Sequence, residues 1–119
     1  MTALVETELD LTKIIELEQL LETGVPEIID RLVGEIDEAL GGIEAGLADD
    51  DLAAAANAAH AARNSALMLG AQPLLPTLGE IESGARLGDE RATRGGLQRL
   101  KSTWPELKRR LREEAERRR

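Results

Sequence analysis

Apolar residues recur along this chain at helical spacing, and turn residues cut the pattern into five segments. The first runs from an Asp10 cap to Glu22, with Leu11, Ile14, Ile15, Leu17, Leu20 and Leu21 apolar. Gly24 ends it, and Pro26 opens the second at a first-turn position where the missing N–H is tolerated. Ile28, Ile29, Leu32, Val33, Ile36, Leu40, Ile43 and Leu47 then form a stripe close to i, i+3, i+4, i+7. Gly41 and Gly42 interrupt that helix at about 1 kcal/mol each relative to alanine, which predicts a close helix contact or a local bend.

Asp49, Asp50 and Asp51 cap a third helix from Leu52 to Leu69, and Gly70 closes it. Pro73 opens the fourth, with Pro76 able to shift that start by a turn. Leu74, Leu75, Leu78, Ile81 and Leu87 supply its buried face. The fifth begins near Asp89 and Glu90 and carries Leu97, Leu100, Trp104, Leu107 and Leu111. Thr103, three residues before Glu106, reads as a capping box, so Pro105 is expected to kink the last helix or restart it. Residues 1–8 and 113–119 are expected to fray. Short loops between amphipathic helices make antiparallel neighbours. The expected fold is all-α, an antiparallel up-down four-helix bundle with a short additional N-terminal helix, and a single domain over residues 1–119.

Composition sharpens this. Leu and Ala dominate and Trp104 is the sole aromatic residue, which favours helix over sheet. There is no cysteine, which excludes disulfides and thiolate metal sites and suits a reducing compartment. No apolar run approaches the ~20 residues that span a membrane, and Met1 to Asp10 lacks a signal core. The chain is expected to be cytoplasmic, with no membrane insertion, and a monomer. Met1 and the Arg-rich end favour a free-standing protein.

The net charge of −8 conceals an asymmetry. Residues 1–90 hold 4 Lys/Arg against 19 Asp/Glu, and residues 91–119 hold 11 against 4. A basic end can signal nucleic acid. Here the cations close a helix whose dipole they complement, acidic helices lie alongside, and no aromatic residues are interleaved to stack on bases. No nucleic-acid partner is expected.

The candidate chemistry is His60, the only histidine, midway along the third helix. At ~100° per residue, Ala53, Ala56, Asn57, Arg63, Asn64 and Leu67 share its side, while Leu52, Ala55, Ala59, Ala62, Ala66 and Leu69 turn inward. Helix stability does not call for a surface of alanine, asparagine and histidine; Glu and Lys would serve solubility better. A partner docking over His60 meets Ala56, Asn57 and Leu67. Ser65 lies roughly 140° around the helix from His60, which excludes a Ser-His dyad there. Asn57 stands where a carboxylate-bridged metal site needs Glu, and no second His or Cys could complete a zinc site. No glycine-rich phosphate loop precedes a helix, so the chain has no nucleotide site of its own. A free imidazole titrates near ~6.5 and is mostly a neutral nucleophile at cellular pH. Phosphoryl transfer asks mainly for positioning and charge stabilisation. A cation at Arg63, one turn on, could stabilise a transferred group.

These residues resemble the histidine-containing phosphotransfer (HPt) domains of phosphorelays. Their motif is alanine, the phosphorylated histidine, two residues, lysine, glycine, serine, and a closing glycine-alanine pair. This chain shows Ala59-His60, Arg63 for the lysine, Asn64 for the glycine, Ser65 for the serine, and Gly70-Ala71 for the pair. Leu74 to Glu82 is similar to the family's next helix, and Asp51 to the cap before the histidine helix; the match runs from about Leu9 to Leu111. The resemblance implies that His60 Nε2 accepts a phosphoryl group from a receiver-domain aspartate and passes it to another receiver. It implies a phosphocarrier rather than an enzyme, with Mg2+ supplied by the receiver and no cofactor of its own. Response-regulator receivers or a hybrid sensor kinase are the implied partners. Arg63 keeps the lysine charge but not its shape. Asn64 projects where a bare backbone would give the closest approach, so it could orient the imidazole or gate the partner. Ser65 and Gly70 read as structural members of the motif.

The alternative is an adaptor of the same fold that docks a receiver or kinase without carrying phosphate. A purely structural or dimerising bundle does not need the His60 surface. A sensor-kinase dimerisation domain fits poorly, because Ala61-Ala62-Arg63 follows His60 in place of an acidic residue and a later proline.

Overall fold

The computed structural model describes residues 9–119 and is all-helical among them. The helices are α1 (Thr12–Leu20), α2 (Val25–Ala48), α3 (Leu52–Leu69), α4 (Leu74–Arg86) and α5 (Glu90–Arg117). Each of α2, α3 and α4 packs on the next, and α5 closes the ring against α2. This is an up-down four-helix bundle, with α1 laid against α2 and α3. Residues 1–8, expected to fray, lie outside the described residues.

Local chemistry sets the ends of α3, which carries His60. Asp51 Oδ1 accepts from Ala54 N–H at 3.0 Å, satisfying one of the orphan donors of the first turn. Gly70 ends the helix at φ 71°, and Ala71 N–H reaches back to Ala66 O at 2.9 Å. Gly70 O also accepts from Asp10 N–H at 2.8 Å, which ties the entry of α1 to the exit of α3. A side chain at position 70 would meet Asp10 O as well as the left-handed backbone, so glycine is required twice over.

Small residues bring α2 and α3 together. A Cβ on Gly42 would lie 3.1 Å from Ala58 Cβ, so the expected close helix contact occurs there. Gly41 faces open space, and nothing in the structure explains it. Ala55, Ala56, Ala59, Ala62 and Ala66 fill the narrow space between helices, while Ile29, Ile36, Ile43, Leu78, Ile81, Leu107 and Leu111 make the wider core.

Several expectations fail for tertiary reasons. Leu87, assigned to the buried face of the fourth helix, is 84% exposed, because it follows α4 in the turn to α5. The last helix does not restart at Pro105; α5 runs through it to Arg117. One missing hydrogen bond is outweighed by the continuous buried stripe of Leu100, Trp104, Leu107 and Leu111. Residues 113–119 do not fray as expected. Glu114 and Ala115 are buried, Arg118 pairs with Glu18, and Arg119 pairs with Asp30. Across the α2–α5 seam, Lys101 lies 2.8 Å from Glu44 and Lys108 2.7 Å from Asp37, so acidic α2 neutralises basic α5.

Candidate functional site

The inward face of α3 is alanine, and its outward face presents Asn57, His60, Ala61, Arg63, Asn64, Leu67 and Met68 to solvent. The His60 side chain is 55% exposed. Among the described residues it has a polar partner on the neighbouring helix: Nδ1 lies 3.0 Å from Glu82 Oε2, near the end of α4. Glu82 is only 14% exposed, held beside the buried Ile81 and Ala85 and gripped by Arg86 from the next turn. Arg86 donates to Glu82 Oε2 from Nη2 at 3.0 Å and from Nε at 3.3 Å. Arg63 Nη1 approaches the other oxygen, Oε1, at 4.0 Å.

Burial pushes the Glu82 carboxyl up, but the Arg86 hydrogen bond and the charge and hydrogen bond of His60 outweigh it. The pKa ends below the ordinary glutamate value. An ionised carboxylate can only accept, so the hydrogen between it and the imidazole resides on His60 Nδ1. In the neutral ring, that tautomer leaves the lone pair on Nε2, on the ring edge away from Glu82. One helix therefore presents the imidazole and the next fixes its proton and orientation.

The expected site residues divide clearly. His60, Arg63, Asn64, Asn57 and Leu67 share one exposed face. Asn64 stands one turn from His60 and is exposed. Ala56 does not belong with them: it is fully buried, so the assignment of Ala56 to a docking face is corrected. On the helical wheel it lies only about 40° from His60, yet the packed bundle covers its small side chain. Ser65 is buried and donates to Glu35 Oε1 on α2 at 3.0 Å, a packing contact between helices. Gly70 is the left-handed cap already described.

Glu82 and Arg86 were not singled out from the sequence. Within α4 they form an ordinary i, i+4 acid–base pair, the commonest pattern of a solvated helix face. No local signal separates Glu82 from Glu80, two residues earlier and exposed; only packing against α3 does. Among the described residues no three His, Cys, Asp or Glu side chains converge as metal ligands, and no helix is long and apolar enough to cross a membrane.

A second feature adjoins this face. Lys13, Glu16, Leu17 and Leu20 of α1 and Leu67 and Met68 of α3 line an open groove. It is unusually apolar for a surface: Leu20 is 80% exposed, and Leu67 and Met68 are about half exposed.

A family model described as the Hpt domain matches residues 27–117. The fold is similar to that in a crystal structure of histidine-containing phosphotransfer protein B from Pseudomonas aeruginosa PAO1. The TM-score is 0.87 at 23% sequence identity, over 93% of this chain and 96% of that one. No curated protein matches the sequence significantly.

Proposed function

Because the chain belongs to the Hpt-domain family, phosphocarriers of two-component signalling, we propose that its phosphorylated residue is His60 and that receiver domains load and unload it. The observation that carries this reading is the Nδ1–Glu82 contact at 3.0 Å, which leaves Nε2 as the exposed nucleophile. In the forward step the Nε2 lone pair attacks the phosphorus of a receiver's aspartyl phosphate. The P–N bond forms, the P–O bond to the aspartate breaks, and that carboxylate leaves with the electron pair. No proton need move: Nδ1–H stays on the ring, and Glu82 stabilises the positive charge that develops there. Donation to a second receiver is the reverse step. Arg63, already loosely placed at 4.0 Å from Glu82, is within reach to swing toward the phosphoryl oxygens. Mg2+ belongs to the receiver, and the carrier acts as a monomer in the cytoplasm.

The partner's footprint covers Asn57, Asn64, Leu67 and Met68, because these surround His60 on the exposed face. Asn64 supplies a polar contact beside the reacting nitrogen, and a receiver must accommodate it.

The test is transfer itself. Incubation with labelled phospho-receivers is expected to put acid-labile label on the chain. Receivers that bind but never transfer would overturn the carrier reading and favour the docking adaptor. Glu82→Ala is expected to slow acceptance roughly 10- to 100-fold, the usual cost of losing an outer partner that orients an imidazole. Glu82→Gln, which still accepts from Nδ1, should fall between the two in single-turnover rates. Since the Glu82 pKa is depressed, its charge persists below the ordinary carboxylate range of about 4.3, and its contribution should hold throughout pH 5–8.

A further inference from the structure

The wall of the apolar groove beside His60 is α1, the least embedded helix. At 9 residues it is too short to be stable alone, and Ile14 alone among its residues is buried. Three ties hold it. Asp10 N–H bonds Gly70 O at one end, Ile14 enters the core in the middle, and toward the other end Glu18 meets Arg118.

That last tie joins residues 100 positions apart. Arg118 is the cap of α5 and only 16% exposed. Its Nε is 2.9 Å from Glu18 Oε2, and its Nη2 donates to Glu18 Oε1 at 3.4 Å. Its Nη1 meanwhile donates to Glu114 Oε1 at 2.6 Å and to Glu114 O at 3.0 Å. A planar guanidinium can serve both acids at once, where an ammonium would act as a point charge. Arg119 adds a parallel bond to Asp30 Oδ2 on α2 at 2.6 Å, so the chain end lies folded onto the start of the bundle.

The groove is continuous with the face that carries His60. Leu67 is seven residues from His60 on the same side of α3, about 10.5 Å along the axis. An ordinary protein interface covers on the order of 800 Å² per partner, a patch of ~16 Å radius. A partner whose aspartate reaches Nε2 therefore covers Leu67, and the α1 wall stands next to it.

We propose that Arg118 is a positioning residue for receiver docking: by holding Glu18 it sets α1, and with it the shape of the groove that the receiver contacts. The inference rests on the carrier reading above. Arg118 touches neither the phosphoryl group nor the receiver, and its effect is confined to affinity.

The experiment uses the full chain with Arg118→Gln, Arg118→Lys and, independently, Glu18→Gln, which leaves the Arg118–Glu114 contact in place. Arg118→Gln and Glu18→Gln are expected to raise the KM for a phospho-receiver roughly fivefold, the lower end of measured couplings between sites. The rate at saturation should be unchanged, and so should labelling of His60 by phosphoramidate, a donor too small to need docking. Amide exchange in residues 12–20 should quicken. Arg118→Lys should recover part of the KM, since it keeps the charge but not the fork. An unchanged KM in both variants overturns the proposal, as does an equal loss with phosphoramidate, which would mean that the site itself was disturbed. If wild type takes label from phosphoramidate but from no receiver, the carrier reading fails and the docking role falls with it.

Discussion

A His60→Gln chain is expected to take no acid-labile label from any phosphorylated receiver while its stability stays within about 0.5 kcal/mol of wild type, the usual range for an exposed substitution. The two halves of this expectation have separate causes. Glutamine has no imidazole nitrogen to form the P–N bond, so the loss of transfer is complete rather than partial. The fold is spared because the side chain is more than half exposed and its removal strands no buried charge. Glu82 keeps Arg86 at 3.0 Å and Arg63 at 4.0 Å. Acid-lability of the label and a urea titration, read on the same preparation, check both halves. Label that survives on the variant would move the phosphorylated residue elsewhere and remove the chemical role of His60.

Trp104→Ala is expected to cost about 3–5 kcal/mol, the range for deleting a buried large aromatic side chain. Against a typical total of about 5–15 kcal/mol for a domain, that is a large share. Trp104 is buried in α5, on the stripe that closes the ring against α2. It also donates from Nε1 to Asp37 Oδ1 on α2 at 2.8 Å, so the ring provides packing and the indole N–H provides register. Trp104→Phe keeps most of the apolar body and loses the hydrogen bond, which should cost about 1 kcal/mol for the bond itself. Urea midpoints at constant slope measure both variants, and a loss below ~1 kcal/mol for Trp104→Ala would contradict the packing seen here.

The same contact has a pH signature. Burial pushes the Asp37 carboxyl up, but hydrogen bonds from Lys108 and Trp104 outweigh it, and its pKa lies below the ordinary value. The unfolded chain therefore binds this proton at a higher pH than the folded one. The stabilisation is complete above the unfolded value of about 3.9 and is lost as pH falls through the lower folded value. In Trp104→Phe one of the hydrogen bonds that depress it is gone, so the folded and unfolded values draw together, and the variant should lose less stability than wild type as pH falls below about 3.9.

Much of this molecule could be read from the chain in order. The i, i+3, i+4 stripes mark the helices because each apolar side chain must face a common core. Asp51 and Gly70 mark the ends of α3 because backbone groups there need a side-chain partner or a left-handed turn. The exposure of His60 followed from the same periodicity, and its chemistry from being a lone imidazole among small residues. Arg63 and Asn64 came from the motif, and both lie on the exposed face beside it.

What tertiary structure alone decided concerns contacts between helices. Glu82 is 22 positions from His60, and only the α3–α4 packing turns an ordinary surface glutamate into the group that fixes the imidazole's proton. Ala56 looks exposed on a wheel and is buried, because alanine lets neighbouring helices close over positions that a larger residue would keep apart. The chain end looks like a frayed run of charge and is ordered, because Glu18 and Asp30 await it on α1 and α2. Periodicity reports which way a side chain points from its own helix. What it points at depends on how the other helices are brought to it, and that is a property of the assembled bundle.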